Sequence, residues 1–462
     1  MILLILSLAI ILRIINLNQS LWWDEAINIV YAKSNDFWWF VTKYPIGDFH
    51  PPGYFAILWL WGHLSGFSEI SSRVPSVIFG ILTVFLTYLI GKKLFSKKTG
   101  LIAALFMSLA PLHIYYSQEA RMYSFAALAV VFSMYSLIRL VSNQRYGLVM
   151  YVLSTTLVLY SDYLAYFIIP AQFFWVFIYH KKFLKKIFLS GALFILFWSP
   201  WLLVFPQQLA GGQATAGLIE GWRNTVGGAG IREFLLLPVK IITGRISFYN
   251  NALYLLLFVI LLTPFMIALQ KVIREKISSK TSLFWLWLTI PPVLTFFISF
   301  FIPVFSYFRF IFILPAFYIL TALGVEKFNA KISKVLVVLI VMSGLTASSI
   351  YLFIDNFHRE DWRGAIHFIS KNLDDQTLVI FENNEIPAPA RYYSNDLTKF
   401  EPGLGGDITN KLSHSQRVYF FEYLGDIYDP KRLVTPKLKN LNFINIKTYN
   451  FRGVGFIRLY EK

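Results

Sequence analysis

Two adjacent carboxylates, Asp24 and Glu25, follow a pair of tryptophans in the stretch LWWDE. A carboxylate in such a setting suits general-base chemistry, because it can take a proton from a bound hydroxyl or amine. The same residues also fit a helix start at a membrane interface, since acidic side chains favour the positive end of a helix dipole and tryptophan favours the interface. These residues alone leave both interpretations open.

A second polar group is the stretch DFHPPGY, which contains Asp48 and His50. Its two prolines, Pro51 and Pro52, remove two amide donors and predict a turn into a helix that begins beside His50. Asp48 and His50 are candidates for contact with a substrate, and histidine titrates near neutral pH. The alternative is a structural turn with a solvated histidine.

A third group, PLHIYYSQEARMY, contains Glu119, Arg121 and Tyr123. Glu119 and Arg121 are two positions apart, so they do not share one side of a helix. We therefore expect them to contact different partners, with Glu119 as a second candidate acid and Arg121 and Tyr123 as candidates for substrate binding. An ordinary polar loop between two apolar helices is the alternative.

A fourth group, SYFR, places Tyr307 and Arg309 between two apolar stretches. An arginine at the end of a membrane helix often extends its charge toward the headgroups. The guanidinium fork also matches the oxygens of a phosphate group. Tyr307 and Arg309 are therefore candidates for a phosphate-bearing substrate.

The elements that must position these groups are strongly apolar. Of the 462 residues, 56% are hydrophobic and 15% are charged, whereas soluble proteins contain about 45–50% and about 25%. A spanning helix needs about 20 mostly apolar residues. The sequence thus predicts a polytopic α-helical membrane protein of about eleven spans, at about 1–17, 74–91, 100–116, 123–140, 147–161, 163–180, 187–205, 251–270, 281–303, 309–325 and 334–353.

The net charge of +17 is concentrated in short basic runs between the predicted spans. Such runs mark cytoplasmic loops, and this explains the charge without a nucleic-acid partner. Eleven spans with a cytoplasmic N-terminus in the plasma membrane put all five runs inside. They also put residues 18–73, 206–250 and the chain after 354 outside. All four polar groups then lie on the extracytoplasmic face.

Two features near the N-terminus have alternatives. The segment Met1–Leu17 lacks a basic start and a small-residue cleavage site, which favours an uncleaved span over a signal peptide; a truncated N-terminus also remains open. The segment Pro51–Phe67 is apolar and rich in tryptophan, but counting it as a span would invert the charge pattern that follows. We expect it to lie at the outer interface.

The sequence changes character after about residue 354. We expect a membrane module at 1–353, with its active site in the outer loop 18–73, and a small extracytoplasmic α/β or α+β domain at 354–462. Asp361–Leu373 has the pattern of an amphipathic helix. The tail also contains three alternating runs that predict strands, Leu378–Phe381, Val418–Tyr423 and Phe443–Lys447.

The chain resembles the GT-C superfamily of membrane glycosyltransferases, and within it the family 39-like proteins related to protein O-mannosyltransferases and to the lipid A aminoarabinose transferase. The resemblance covers about residues 12–370. It rests on the stretches LWWDEA, HPPGY, SSRVPSVIFGILTVFLTYLIGKKLF, APLHIYYSQEARMYS, WSPW, YFRFIFILPAF and REDWRGAIHFI.

This resemblance implies transfer of a sugar from a polyprenyl-phosphate carrier to an extracytoplasmic protein, lipid or glycan. It places the catalytic base at Asp24, with Glu25 beside it, and the acid of the second outer loop at Glu119. His50 then stands where relatives often have a basic residue that faces the carrier phosphate. Cationic stabilisation of that phosphate is assigned to His50, to a metal ion or to one of three arginines, Arg73, Arg121 and Arg309.

Three further points follow from the same resemblance. Relatives often have a histidine where this chain has Asp162, which puts that role in doubt here. A divalent cation between Glu119 and the donor phosphate is a hypothesis, and we expect no nucleotide or redox cofactor. A lipid-linked sugar flippase and a non-catalytic carrier-binding scaffold remain alternatives, although the predicted spans show neither midplane charges nor an internal repeat.

Overall fold

The computed structural model describes residues 1–218, 230–404 and 408–462. Its membrane part is helical, and seven of the described helices are long and apolar enough to cross a bilayer. These are Glu69–Leu94, Tyr123–Val141, Lys181–Leu202, Asn251–Ile273, Ser279–Ile298, Tyr307–Glu326 and Ala330–Phe353. Each coincides with a predicted span.

Other apolar helices coincide with the remaining predicted spans. Lys97–Ser108 and Pro111–Ser117 make an eighth span if they are taken as one helix bent by 63°. Three more apolar helices are shorter than a full span, namely Ile2–Ile14, Gly147–Leu159 and Tyr163–Tyr179. The positions of the predicted helices are confirmed, but the count of eleven spans is not.

The bend between Lys97–Ser108 and Pro111–Ser117 is filled by a buried arginine. Arg13 is fully buried, and its Nη1 donates to the carbonyl oxygen of Ser108 at 3.1 Å. Its Nη2 lies 2.8 Å from Nδ1 of His113. A break in a helix leaves carbonyl groups without their usual donors, and a cation there satisfies them. Arg13 lies in the last turn of the first helix and serves the backbone there.

Short helices cover one side of the membrane module. The first outer loop contains Trp23–Ser34, which we call the Asp24 helix, followed by Phe37–Thr42, Tyr44–Asp48 and Gly53–Ser65. Two more, Phe205–Leu218 and Ile231–Thr243, follow the span that ends at Leu202. The helix predicted within Pro51–Phe67 is thus present as Gly53–Ser65. Its 13 residues extend about 20 Å, which is too short to span alone.

Gly53 fixes the start of that helix against the membrane module. Its amide donates to the carbonyl oxygen of Tyr160 at 2.9 Å. A Cβ at this position would lie 2.4 Å from the same oxygen, so only glycine allows the close approach. The contact anchors the HPPG turn, and with it His50, beside the C-terminal end of the helix Gly147–Leu159.

The tail forms a five-stranded mixed sheet in the order β2-β1-β3-β5-β4. Its strands are β1 Thr377–Phe381, β2 Phe400–Pro402, β3 Arg417–Glu422, β4 Ile444–Phe451 and β5 Gly455–Glu461. Strands β1, β2 and β3 are parallel, while β5 runs antiparallel to β3 and β4. The helices of this domain are Trp362–Lys371, Ala388–Tyr393, Thr409–His414, Gly425–Tyr428 and Val434–Asn440. The prediction of a small C-terminal domain with a sheet is confirmed, including its first helix and three strands; β2 and β5 were not predicted.

The apolar core of the tail domain includes a residue from the first outer loop. Trp23, which is 7% exposed, packs with the buried residues of this sheet. Its ring stacks on Tyr423 with a centroid distance of 5.1 Å and lies 6.1 Å from Trp362. The interface-belt interpretation is therefore wrong for Trp23. The residue before Asp24 is instead embedded in the C-terminal domain.

Candidate active site

The two adjacent acids of the first outer loop have different environments. Glu25 is fully buried, and its oxygens accept from Nε and Nη2 of Arg73 at 2.8 and 2.6 Å. The amide of Ala120 also donates to Glu25, at 2.8 Å. Burial raises the pKa of Glu25, but Arg73 and Arg359 outweigh it and keep the pKa below its usual value. Glu25 and Arg73, both predicted to serve the reaction directly, instead form a closed ion pair.

Arg73 has further partners that keep it away from any substrate. Its guanidinium is at most 1% exposed and also donates to the carbonyl oxygens of Leu17, Gln19 and Ser20. These bonds fix the loop that leads into the Asp24 helix. The pair therefore positions the loop, and a phosphate group would not reach the guanidinium in this arrangement.

Asp24, in contrast, keeps an accessible carboxylate. Its side chain is 37% exposed, and its Oδ2 lies 3.7 Å from Nη2 of Arg121. Desolvation among its neighbours raises its pKa; Arg121 and His50 oppose this rise, and Asp48 adds to it. A carboxylate with a raised pKa is better matched to accepting a proton near neutral pH.

Arg121 connects Asp24 to the second polar group. Its Nη1 donates to Oδ2 of Asp48 at 2.8 Å, and Oδ1 of Asp48 lies 2.6 Å from Nδ1 of His50. Burial raises the pKa of Asp48, but Arg121 and His50 outweigh it and bring the pKa to about 2. Asp24, Asp48 and Arg121 thus form one charged network. We call these three residues and His50 the Asp24 cluster.

The hydrogen bonds of His50 settle which ring nitrogen is available. Nδ1 faces two acceptors, the carboxylate and the carbonyl oxygen of Asp48, at 2.6 and 2.8 Å. Nδ1 therefore carries a proton and donates. Nε2 is buried and has no partner among the described residues. When His50 is protonated, Nε2–H is the donor left for an anion.

A buried polar network holds the Asp24 cluster in place. Asn28, on the Asp24 helix, accepts from Tyr44 Oη at 2.6 Å and from Arg121 Nη1 at 3.2 Å. Its amide donates to the carbonyl oxygen of Ala120 at 3.3 Å. Buried polar networks with satisfied partners hold a site in one geometry. Asn28 and Tyr44 were not among the predicted site residues.

Glu119 faces away from the Asp24 cluster, as expected from its spacing to Arg121. It is fully buried, and its Oε2 accepts from Nη1 of Arg359 at 2.9 Å. Arg359 also donates to the carbonyl oxygens of Tyr115 and Gln118. Burial raises the pKa of Glu119 against the opposing effect of Arg359. Oε1 of Glu119 is buried and has no partner in the described part of the chain.

Arg359 belongs to the stretch REDW, which sequence analysis used only for family resemblance. Its partner Glu119 is 240 positions earlier in the chain. The segment SQEAR therefore contacts several elements at once. Gln118 adds to this by donating to carbonyls at the end of the first helix, those of Leu12 and Arg13, and to the carbonyl of Ile15 just after it.

The fourth polar group forms a neighbouring wall of aromatic and cationic side chains. Arg309 is half-buried and close enough to lower the pKa of Asp24. Tyr123 is buried against Phe308 at a centroid distance of 5.3 Å, and Phe308 also contacts Tyr307 at 5.6 Å. The structure therefore places Tyr123, Tyr307 and Arg309 together.

A cavity of about 490 Å³ lies between the membrane module and the C-terminal domain. Its lining includes Trp22, Tyr115, Arg245, Arg359 and Glu360. Arg245 is exposed, and its guanidinium lies over the ring of Tyr115 at 5.1 Å. Arg245 and Glu360 were both missed by sequence analysis, which had assigned no polar group to either segment.

The structure gives Asp162 a backbone role. Its Oδ1 accepts from the amide of Leu164 at 2.8 Å, and the side chain is buried. As for metals, the described residues contain no group of three or more His, Asp or Glu side chains that could hold an ion. The cation at Glu119 stays a hypothesis.

Residues 49–204 match the family model described as dolichyl-phosphate-mannose-protein mannosyltransferase. Over the whole chain, the structure is similar to that of ArnT from Cupriavidus metallidurans bound to undecaprenyl phosphate. The TM-score is 0.65 at 11% identity, with 99% of this chain and 97% of that chain covered. The chain has the GT-C fold.

A second GT-C structure is similar over much of the chain. It is the archaeal oligosaccharyltransferase AglB from Archaeoglobus fulgidus, in complex with an inhibitory peptide and a dolichol-phosphate. The TM-score is 0.52 at 13% identity, and the match covers 91% of this chain and 69% of that one. A comparison with curated protein sequences finds no match. The predicted resemblance to the GT-C superfamily is confirmed.

Within this GT-C fold, the predicted site residues separate into two sets. One set lies around the accessible carboxylate of Asp24 and consists of Asp48, His50, Arg121, Tyr123 and Arg309, while Tyr307 contacts Phe308 and Lys240 at its margin. The other set consists of buried ion pairs, Glu25 with Arg73 and Glu119 with Arg359. The second set supports the loops that carry the first.

Proposed function

We propose that the chain transfers a glycosyl group from a polyprenyl-phosphate-linked sugar to an extracytoplasmic acceptor, with Asp24 as the base. The observation behind this proposal is the contrast between the two adjacent acids. Asp24 is accessible and lies beside a cationic network, whereas Glu25 is closed by Arg73. The undecaprenyl phosphate bound to ArnT and the dolichol-phosphate bound to AglB support a polyprenyl-phosphate donor.

In the proposed reaction, an acceptor hydroxyl or amine attacks the anomeric carbon while the bond from that carbon to the phosphate oxygen breaks. The electron pair of this bond leaves with the polyprenyl phosphate. The acceptor proton passes to the carboxylate of Asp24. This single displacement inverts the anomeric configuration.

The cationic groups divide their work in this proposal. Arg121 is committed to Asp24 and Asp48, so it orients the base. The leaving phosphate gains charge as the bond breaks, and preorganised donors at that point lower the barrier. His50, through Nε2–H in its protonated form, and Arg309 remain for that task, with Tyr123 and Tyr307 beside Arg309.

The location follows from the charge pattern of the sequence. With the basic runs in the cytoplasm, Asp24 and the C-terminal domain face the extracytoplasmic side of the plasma membrane. A polyprenyl-phosphate sugar presents its headgroup at that surface. The acceptor is a protein, lipid or glycan on the same side.

The test is sugar transfer from radiolabelled polyprenyl-phosphate sugars to native-membrane acceptors, with purified wild type and Asp24→Asn. We expect a loss of at least about 100-fold for the variant. Asp36→Asn is the matched control, because Asp36 is an exposed acid of the same loop whose one side-chain hydrogen bond among the described residues is from the amide of Trp39. Equal transfer by Asp24→Asn and wild type would remove Asp24 as the base. A product that retains the anomeric configuration would contradict the single displacement.

A further inference from the structure

The start of the Asp24 helix is held by the C-terminal domain through one carboxylate. Oε2 of Glu360 accepts from Nε1 of Trp362 at 2.7 Å and from the amide of Trp23 at 3.4 Å. Its Oε1 accepts from Tyr423 Oη at 3.0 Å. Three donors, two from the C-terminal domain and one from the Asp24 helix, thus converge on Glu360.

The ring of Trp23 reinforces this connection. It packs between Tyr423 at 5.1 Å, Trp362 at 6.1 Å and Tyr428 at 6.1 Å. Stacked and tilted aromatic pairs at these distances are favourable contacts beyond their buried area. The residue directly before Asp24 is thus fixed both by its amide and by its ring.

The loop that leads into the helix is held in the same way. The amide of Arg359 donates to Oε1 of Gln19, and the amide of Arg363 donates to Oγ of Ser20, each at 3.0 Å. The amide of Leu21 donates to Tyr393 Oη at 2.7 Å. Consecutive residues before Asp24 therefore have their partners in the C-terminal domain.

We propose that Glu360 is a positioning residue for Asp24, through which the C-terminal domain sets the orientation of the base. This inference rests on the proposed function for its catalytic part. Glu360 touches the backbone of Trp23 and does not need to touch the substrate. A displacement of about 1 Å in a catalytic group can lower a rate by about 100-fold, so a loosened helix start lowers kcat.

The test uses the full-length protein in nanodiscs and the variant Glu360→Gln. A glutamine keeps the size of the side chain but removes its charge and replaces one accepting oxygen with an amide NH2 group, so the bonds to the three donors are weakened or lost. The matched control is Glu382→Gln, because Glu382 is a buried carboxylate of the same domain whose partner is Arg432. It has no contact with the Asp24 helix among the hydrogen bonds and ion pairs of the described residues.

Two measurements are made on each variant. Hydrogen exchange of the peptide that spans Leu21–Asn28 reports the helix start, and steady-state transfer reports kcat and the KM for the donor. We expect Glu360→Gln to speed exchange in this peptide and to lower kcat by about 10- to 100-fold with a KM changed by less than about threefold. Glu382→Gln should leave both at wild-type values.

Several results would overturn the inference. One such result is a Glu360→Gln protein with wild-type hydrogen exchange and wild-type kcat. Another is a Glu382→Gln protein whose exchange and kcat change as much as those of Glu360→Gln, which would point to general weakening of the domain. If Glu360→Gln does not fold, Tyr423→Phe removes one donor and keeps the ring on Trp23; an unchanged kcat there would overturn it too. If wild type transfers no sugar, the proposed function fails, while hydrogen exchange still decides whether Glu360 fixes the helix.

Discussion

Replacing Glu25 with alanine should destabilise the protein strongly, because it leaves a buried charge without its partner. Glu25 and Arg73 are at most 1% exposed and are joined by two hydrogen bonds of 2.8 and 2.6 Å. Removing one member of such a pair costs about 3–5 kcal/mol. Arg73 keeps three carbonyl acceptors, so we expect a loss near the lower end, at about 3 kcal/mol.

The assay is thermal inactivation and unfolding of the purified protein in nanodiscs, followed by tryptophan fluorescence. Membrane proteins often unfold irreversibly, so half-lives at a fixed temperature are compared as well as midpoints. Asp24→Ala is the neighbouring control. The side chain of Asp24 is 37% exposed and lies 3.7 Å from that of Arg121. Loss of this ion pair should therefore cost at most about 1 kcal/mol.

A double variant tests the same reasoning from the other side. Replacing both members of the pair, with Glu25→Leu and Arg73→Met, removes the unpaired charge and should recover part of the lost stability. Equal stabilities for Glu25→Ala and Asp24→Ala would refute the assignment of Glu25 to structure. A Glu25→Ala protein that has wild-type stability but no longer transfers sugar would refute this assignment as well.

Three more predictions follow from the contacts described above. Arg359→Ala should lower stability by about 3 kcal/mol or more because it leaves Glu119 buried and unpaired; an unchanged unfolding midpoint in nanodiscs would contradict this. Transfer should fall at acidic pH as Asp24 is protonated, and this fall should occur at a higher pH than for an ordinary aspartate. The variant Arg121→Gln should move the fall to still higher pH, because the guanidinium lowers the pKa of Asp24. A pH–rate profile with no shift, or with the opposite shift, would argue against Asp24 as the base. Arg13→Met should lower the thermal midpoint, since it leaves carbonyls at the helix bend unsatisfied at a cost of about 1–3 kcal/mol, and a midpoint equal to that of wild type would show that other donors satisfy them.

Much of the fold is local in origin and was predictable. The spans follow from runs of apolar residues, and the mixed domain follows from alternating runs such as Leu378–Phe381 and Val418–Tyr423. The strands that were missed show why short segments are difficult. Phe400–Pro402 has only three residues, and Gly455–Glu461 carries a glycine, an arginine and a glutamate among its apolar residues. Their pairing with distant strands decides their conformation.

The sequence predicts many of the residues of the candidate site but not which of them pair with each other. The sequence predicts that Glu119 and Arg121 face different partners, and the structure confirms this. It does not predict that Glu25 pairs with Arg73 or Glu119 with Arg359, because such pairs depend on packing between segments far apart in the chain. The sequence held one signal for the second pair. The arginine of REDW lies where the tail domain begins, and a buried acid at that boundary would need a cation as its partner.

The contacts between the Asp24 helix and the C-terminal domain also affect when the site forms. During synthesis, Asp24 leaves the ribosome about 400 residues before Tyr423, which corresponds to roughly 20–80 s at ordinary elongation rates. Through that interval, Trp23 and the loop before it lack their partners. The Asp24 helix thus gains these contacts only after the last part of the chain has been made and has folded. A nascent or prematurely terminated chain would therefore lack these contacts, and under the proposed function only a completed polypeptide would transfer sugar.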